Sequence, residues 1–111
     1  MSKTELTDGS TVPADRSHTE IDPATGQQRG YVVLAPEERA KGFVKPVRRS
    51  YRHNVCGAIT TMGQALAETY ARDPHFYSGT FCATCRVHRP LNEFAWQPDG
   101  ESLDPTLQVQ P

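Results

Sequence analysis

The chain has 111 residues, of which 36% are hydrophobic, and its formal net charge is -1 at pH 7. A chain of this length forms one domain, and so little apolar material favours a fold held together by a disulfide or a metal ion. Three cysteines cannot pair completely among themselves, so a metal ion is the better expectation. No run of about 20 apolar residues is present, which excludes a membrane-spanning helix.

The two ends of the chain differ in composition from its middle. Residues 1–28 are rich in Ser, Thr, Asp, Gly and Pro, and they lack both helical and strand periodicity. They are predicted to form a flexible N-terminal arm without a secretory signal, so we expect a protein of a reducing compartment. Residues 98–111 have the same character and are predicted to form a C-terminal tail. The folded, metal-binding domain is therefore expected to span residues 29–97.

The first ordered elements are predicted between residues 30 and 52. A short β-branched run at 30–34 predicts a strand. Pro36 suits the first position of a helix and a glycine can end it, so one or two helical turns are expected over 36–41. Residues 43–52 partly alternate apolar and basic side chains, and Pro46 cannot donate to a ladder. This segment is therefore predicted to be an edge strand.

Basic side chains are concentrated in one short stripe. Residues 39–53 carry six basic and no acidic side chains, whereas 1–38 carry three basic and seven acidic ones, and 54–111 carry three and six. The simplest interpretation is that the stripe solvates a strand and pairs with its acidic flanks. The alternative is contact with nucleic acid or with a protein partner. The members of the stripe are Arg39, Lys41, Lys45, Arg48, Arg49 and Arg52.

The clearest helix prediction covers residues 62–72. Thr61 and Gln64 have the spacing of a capping box, and an Asp-Pro pair ends the pattern. The apolar residues that recur at every fourth position are Met62, Leu66 and Tyr70. Residues 76–81 are predicted to be extended, and the alternation at 93–96 predicts a final strand.

Two pairs of metal-ligating side chains have the same internal spacing. His53 and Cys56 are separated by two residues, as are Cys82 and Cys85, and 25 residues lie between the pairs. Two intervening residues let a tight turn bring both donor atoms to one cation, at about 2.3 Å for sulfur and about 2.0 Å for nitrogen. The pattern predicts one structural Zn²⁺ bound by these four side chains.

The turns and the fourth ligand leave some choice. Gly57 follows the first pair, where a positive φ is often required, whereas Arg86 follows the second, so a less regular second turn is expected. His88, three residues beyond the second pair, and His75, shortly before it, are alternatives to His53 as the fourth ligand. We prefer His53 because His-x-x-Cys mirrors Cys-x-x-Cys.

Two interpretations do without a metal: Cys82 and Cys85 could form a redox pair, or the thiols could be buried and inert. A redox pair is expected beside a βαβ unit, and none is predicted in this chain.

A catalytic zinc is not expected. Hydrolytic zinc sites keep an open coordination position beside an acid or base, and zinc deaminases carry His-x-Glu followed by Pro-Cys-x-x-Cys. Here Asn54 and Val55 follow His53, and Phe81 rather than proline precedes Cys82. Three thiolates and an imidazole would fill all four positions of a tetrahedral site. We therefore predict that the protein is not an enzyme.

The ligand pairs resemble those of the zinc-ribbon class over residues 50–97, although the intervening helix and the histidine make this chain an atypical member. The resemblance and the predicted elements together imply a small α+β domain. It would have two zinc knuckles, short antiparallel strands and one helix, flanked by extended N- and C-terminal arms. Residues 34–51 and 60–74 also look like small uncharacterised proteins of bacteriophages and prophages. That resemblance implies a viral setting, in the host cytoplasm or in the virion.

Zinc ribbons serve as nucleic-acid binders, protein-contact modules and structural units, so three hypotheses follow. The first is a non-enzymatic structural or protein-interaction protein, a virion or accessory component that docks on a larger assembly. The second is a nucleic-acid-binding protein, against which the acidic flanks of the basic stripe argue. The third is an inhibitor of a host defence enzyme, which the small size permits without selecting a target.

Overall fold

The structure, a computed structural model, describes residues 3–107. Two α-helices are present in that range, α1 (Pro36–Arg39) and α2 (Gln64–Arg72). Short 3-10 helices lie at Ser17–Thr19, Leu91–Glu93 and Pro105–Leu107. The strands are β1 (Thr4–Leu6), β2 (Val32–Leu34), β3 (Ser50–His53), β4 (Ile59–Thr61), β5 (Gly79–Cys82), β6 (Val87–Pro90) and β7 (Phe94–Trp96). The small α+β class with short antiparallel strands and one main helix is thus confirmed.

The strands form three antiparallel sheets within residues 3–107, with the orders β1-β2, β4-β3-β7 and β5-β6. The prediction of an edge strand over 43–52 is wrong, because β3 covers only its end and lies in the centre of its sheet. Pro46 precedes the strand. The backbone N–H groups of Val44 and Lys45 instead donate to the carbonyl O of Ala71, at 2.9 and 3.1 Å. The first half of the segment therefore lies against the end of α2.

Helix α2 begins two residues later than predicted. Thr61 belongs to β4, where its hydroxyl lies 2.9 Å from that of Ser50, and Gly63 is the N-cap residue without a side-chain cap. The predicted capping box is therefore wrong, because Thr61 pairs with Ser50 in the β3–β4 ladder instead of capping the helix. The predicted end at Arg72 is confirmed. No helix among the described residues is long and apolar enough to cross a bilayer.

The core lies between α2 and the sheet β4-β3-β7. Tyr51 is at its centre, with edge-to-face contacts to Phe94 at 5.5 Å and Trp96 at 6.1 Å between ring centroids. Such aromatic pairs stabilise by about 0.5–1.5 kcal/mol beyond the burial of their area. The buried members are Tyr51, Met62, Ala67, Tyr70, Cys82, Leu91, Phe94, Trp96 and Leu103. Since this core includes Cys82, the predicted metal ligands adjoin it directly.

The described part of the N-terminal segment, residues 3–28, is not the extended arm that its composition predicts. Strand β1 pairs with β2, and Leu6 is buried. Gly26 has a φ of 81°, and a Cβ there would collide with the carbonyl O of Arg86. The guanidinium of Arg86 donates to the carbonyl O of Ala24. The N-terminal segment therefore folds back onto the turn that carries Cys85.

The C-terminal segment, described to residue 107, is also part of the fold. Leu103 is 1% exposed and belongs to the core. Arg48 forms ion pairs with Asp99 at 2.8 Å and Glu101 at 2.9 Å, and Lys45 reaches Glu101 at 3.1 Å. The expectation of a free tail is therefore wrong over 98–107, because the basic stripe and the core both hold it.

Candidate metal centre

Two turns of matching geometry carry the four predicted ligands. The first joins β3 to β4 and the second joins β5 to β6. In the first turn, the N–H of Gly57 donates to the carbonyl O of His53 at 2.7 Å. In the second turn, the N–H of Arg86 donates to the carbonyl O of Cys82, also at 2.7 Å. Gly57 and Arg86 have φ values of 78° and 61°. The expectation of a less regular second turn is therefore wrong, and Arg86 adopts a left-handed conformation that costs a non-glycine residue about 1–2 kcal/mol.

The two turns bring the four side chains together. One ligand atom from each of His53, Cys56, Cys82 and Cys85 lies within 4.8 Å of the other three. The Sγ atoms of Cys56 and Cys82 are 3.6 Å apart, and Nδ1 of His53 lies 3.3 Å from Sγ of Cys56 and 3.5 Å from Sγ of Cys85. Ligand atoms around a tetrahedral zinc are separated by about 3.5–3.8 Å, given its bond lengths. The cluster can therefore hold a metal ion.

Half of the cluster is buried and half is exposed. His53 and Cys82 are buried, whereas Cys56 and Cys85 are exposed. The ring of His53 stacks on that of Phe94, with centroids 4.6 Å apart and planes 25° apart. The centre therefore lies where the aromatic core meets the surface.

Glu93 orients the imidazole of His53. When Nδ1 binds a metal, Nε2 carries the proton and donates it to Oε1 of Glu93, 2.7 Å away. Arg89 in turn donates to both carboxylate oxygens of Glu93, at 3.2 and 2.9 Å. A carboxylate behind a metal-bound histidine holds the ring in place and increases its basicity. Sequence reasoning assigned Glu93 no role at the metal, because only the antiparallel pairing of His53 with Phe94 places it there.

The hydrogen bonds of the cluster shift its pKa values. The backbone N–H of Ala58, together with His53, lowers the pKa of Cys56 to about 7. The hydrogen bond with Cys82 raises the pKa of Cys85 to about 11. Burial opposes protonation of His53, but its hydrogen bonds to Glu93 and Cys56 leave its pKa raised. A bound metal replaces these protons, so metal affinity falls as the pH falls.

The alternative histidines lie outside the cluster. Nε2 of His88 is 2.8 Å from the hydroxyl of Tyr31, and burial lowers the pKa of His88. His75 is exposed on the loop after α2. Among the described residues, the structure thus brings His53 to the three cysteines rather than either alternative.

The basic stripe does not form one free surface. Besides the pairs of Lys45 and Arg48 with the C-terminal segment, Arg39 pairs with Glu68 at 2.7 Å and Lys41 with Glu38 at 3.0 Å. Arg49 donates to the carbonyl O of Met62 at 3.1 Å. Arg52 is exposed. Most of the positive charge is therefore neutralised within the chain.

Fold and cluster together define the chain as a small α+β protein with a His/Cys group able to hold one metal ion. No family model, curated protein or solved structure matches it.

Glu93→Ala is expected to weaken metal binding by about 10- to 100-fold, because His53 loses the carboxylate that orients it. Competition with a chromogenic zinc chelator at fixed pH measures this affinity. Glu37→Ala is a suitable control, since Glu37 is an exposed carboxylate on α1. Equal affinities of the two variants would contradict the role of Glu93.

Proposed function

We propose that the cluster binds one structural Zn²⁺ and that the protein is a non-enzymatic structural or protein-interaction protein. The observation that carries this proposal is the convergence of one ligand atom each from His53, Cys56, Cys82 and Cys85 within 4.8 Å of one another. Three of their distances, 3.3, 3.5 and 3.6 Å, are close to those around a tetrahedral zinc. Four protein ligands leave no coordination position for water or substrate, as in structural zinc sites. Tetrahedral coordination by thiolates and imidazole favours zinc over magnesium, calcium or manganese, which prefer oxygen ligands.

The surroundings of the centre also favour a structural role. Glu93, the carboxylate that touches the cluster, is bound to His53 and Arg89 and faces the far side of the imidazole from the thiols. Glu68 is bound to Arg39 and Gln64. Neither is placed to activate a metal-bound water, which a hydrolytic zinc requires.

The proposed interaction with a partner rests on exposed apolar side chains rather than on the terminal segments, whose described parts, 3–28 and 98–107, fold onto the rest of the chain. Val55 in the first turn is 74% exposed, Ile59 on β4 is 53% exposed, and Val87 after the second turn is 47% exposed. We take these side chains as the contact surface, since an exposed apolar patch on a soluble protein marks an interaction site. We therefore propose a component that docks on a larger protein assembly, in the bacteriophage setting that the sequence resemblance implies. The internal ion pairs of the basic stripe favour this function over nucleic-acid binding.

Cobalt substitution tests whether the centre is closed. Co²⁺ bound to the full chain is expected to give the intense visible absorption of tetrahedral coordination together with thiolate-to-cobalt charge transfer. Added azide should leave this spectrum unchanged, because no position is open to it. Cys85→Ala is the matched control, since it opens one position and should make the spectrum sensitive to azide. A spectrum of the unsubstituted chain that shifts with azide would contradict the structural role.

A further inference from the structure

A small pocket lies between β4 and β5, strands that each adjoin one of the two ligand turns. Its volume is 140 Å³, and its lining residues include Tyr51, Tyr70 and Phe81. None of its lining residues is Asp, Glu, Lys or Arg, although 23% of the chain is charged. A cavity of about 150 Å³ holds one benzene molecule. The pocket therefore fits one neutral ring.

On the β5 side of the pocket, two backbone carbonyl groups already accept hydrogen bonds from within the chain. The hydroxyl of Tyr51 donates to the carbonyl O of Phe81 at 2.5 Å, and that of Tyr70 donates to the carbonyl O of Gly79 at 3.4 Å. The carbonyl groups of Gly79 and Phe81, which point away from β6, are thus hydrogen-bonded to tyrosine hydroxyls. A segment that binds next to β5 would therefore contact aromatic residues there, and neither carbonyl group would be free to accept its hydrogen bonds.

The β4 side differs, because among the described residues its outer edge has no strand partner. The N–H of His53 donates to the carbonyl O of Ala58 at 2.9 Å, and the N–H of Met62 donates to that of Arg49 at 2.8 Å. Hydrogen-bonded pairs alternate along an antiparallel ladder, so the backbone groups of Ile59 and Thr61 face away from β3. Within residues 3–107, no other strand pairs with that edge.

The edge of β4 also lacks the usual protection. Exposed edge strands are normally guarded by charged residues, proline or a bulge. Residues 55–67, which include β4, contain no Asp, Glu, Lys, Arg or Pro. Ile59, in the strand itself, is 53% exposed. One bound segment could therefore contact the backbone groups of the β4 edge, the side chain of Ile59 and the uncharged pocket together.

We infer that β4 and the adjoining pocket bind an extended, uncharged segment of a partner protein, which adds a strand to β4 and inserts one aromatic ring between β4 and β5. Main-chain hydrogen bonds to Ile59 and Thr61 supply attachment, and the pocket supplies selectivity. A charged segment is disfavoured because the pocket offers no counter-charge for a desolvated ion. This inference rests on the proposed interaction function and specifies the kind of partner that it requires.

The test uses the zinc-loaded full chain and a synthetic peptide, acetyl-Ser-Val-Phe-Val-Ser-amide. Backbone amide NMR is expected to show saturable shifts at Ile59 and Thr61 and around the pocket. The same peptide with alanine in place of phenylalanine should bind at least about tenfold more weakly, because it cannot bury the ring.

Substitutions in β4 test the contribution of the strand edge. Thr61→Pro removes an N–H that faces away from β3, so it should abolish peptide binding while an edge strand tolerates the proline. Thr61→Val is its matched control, since both variants lose the hydroxyl contact with Ser50 and only proline loses the N–H. Should Thr61→Pro not fold, Ile59→Glu places a charge on the exposed edge opposite Arg52 and should weaken binding by itself.

Three results would overturn the inference. The first is that neither peptide shifts the amide signals of β4. The second is that free phenol binds as tightly as the phenylalanine peptide and leaves the β4 signals unchanged. The third is that β4 pairs with a second copy of the chain, in a concentration-dependent dimer that the peptide does not dissociate. Zinc content is measured on the same samples. If peptide binding fails in a chain with a full complement of zinc, only this inference fails; if zinc is absent, the proposed function fails as well.

Discussion

Replacement of Cys82 by serine is expected to unfold the domain from Tyr51 to Trp96. Cys82 supplies one predicted ligand and is also fully buried in the core. A structural zinc contributes on the order of 10 kcal/mol of apparent binding free energy. The total stability of a small domain is about 5–15 kcal/mol. Loss of the metal should therefore remove most of the free energy of unfolding.

Circular dichroism and metal analysis of the purified chain measure this effect. The unsubstituted chain should hold about one zinc per molecule, and both the Cys82→Ser variant and the chelated chain should lose the helical signal of α2. Ala83→Ser is the control, because Ala83 is an exposed residue of the same turn. Zinc well below about half an equivalent, with α2 intact in chelator, would show that the metal is not structural.

Leu103→Ala is expected to lower the free energy of unfolding by about 2–5 kcal/mol, the cost of truncating a buried leucine. Leu103 is 1% exposed, and its N–H donates to the carbonyl O of Phe94 at 3.1 Å. Truncation would leave a cavity in the core that adjoins Phe94 and Trp96. A large loss in the free energy of unfolding would show that the C-terminal segment is packed as part of the fold.

Urea unfolding of the zinc-loaded chain, at a fixed concentration of free zinc, gives the required free energies. Leu107→Ala is the matched control, because Leu107 lies in the same segment and is 58% exposed. That control should change stability by no more than about 0.5 kcal/mol. Equal effects of the two substitutions would mean that Leu103 is not packed in the core.

The sequence was most informative where the interactions are local. The x-x spacing within each ligand pair predicted two turns, and both have the same hydrogen bond between the first ligand and the residue after the second. The end of α2 at Arg72 was predicted because an Asp-Pro pair interrupts a helix within its own few residues. Local geometry of this kind depends on neighbours in the chain and can be read from them.

Local preference failed where a distant segment competed for the same residues. Thr61 and Met62 suited the start of a helix, but pairing with Arg49 and Ser50 placed them in or beside a strand. The central position of β3 likewise depends on β7, more than 40 residues later in the chain. Propensity is a weak preference that tertiary contacts override.

By itself, the sequence determined the fold class and the set of residues able to hold a metal, because ligand chemistry and x-x spacing are properties of short segments. Only the tertiary structure decided that residues 98–107 fold onto the domain, since a single leucine at 103 and a few ion pairs hold a segment whose composition resembles a free tail. It also decided the role of Glu93, which reaches His53 across 40 residues of chain. Contacts of that kind arise from strand pairing, and strand pairing depends on which distant segments bury their apolar faces together.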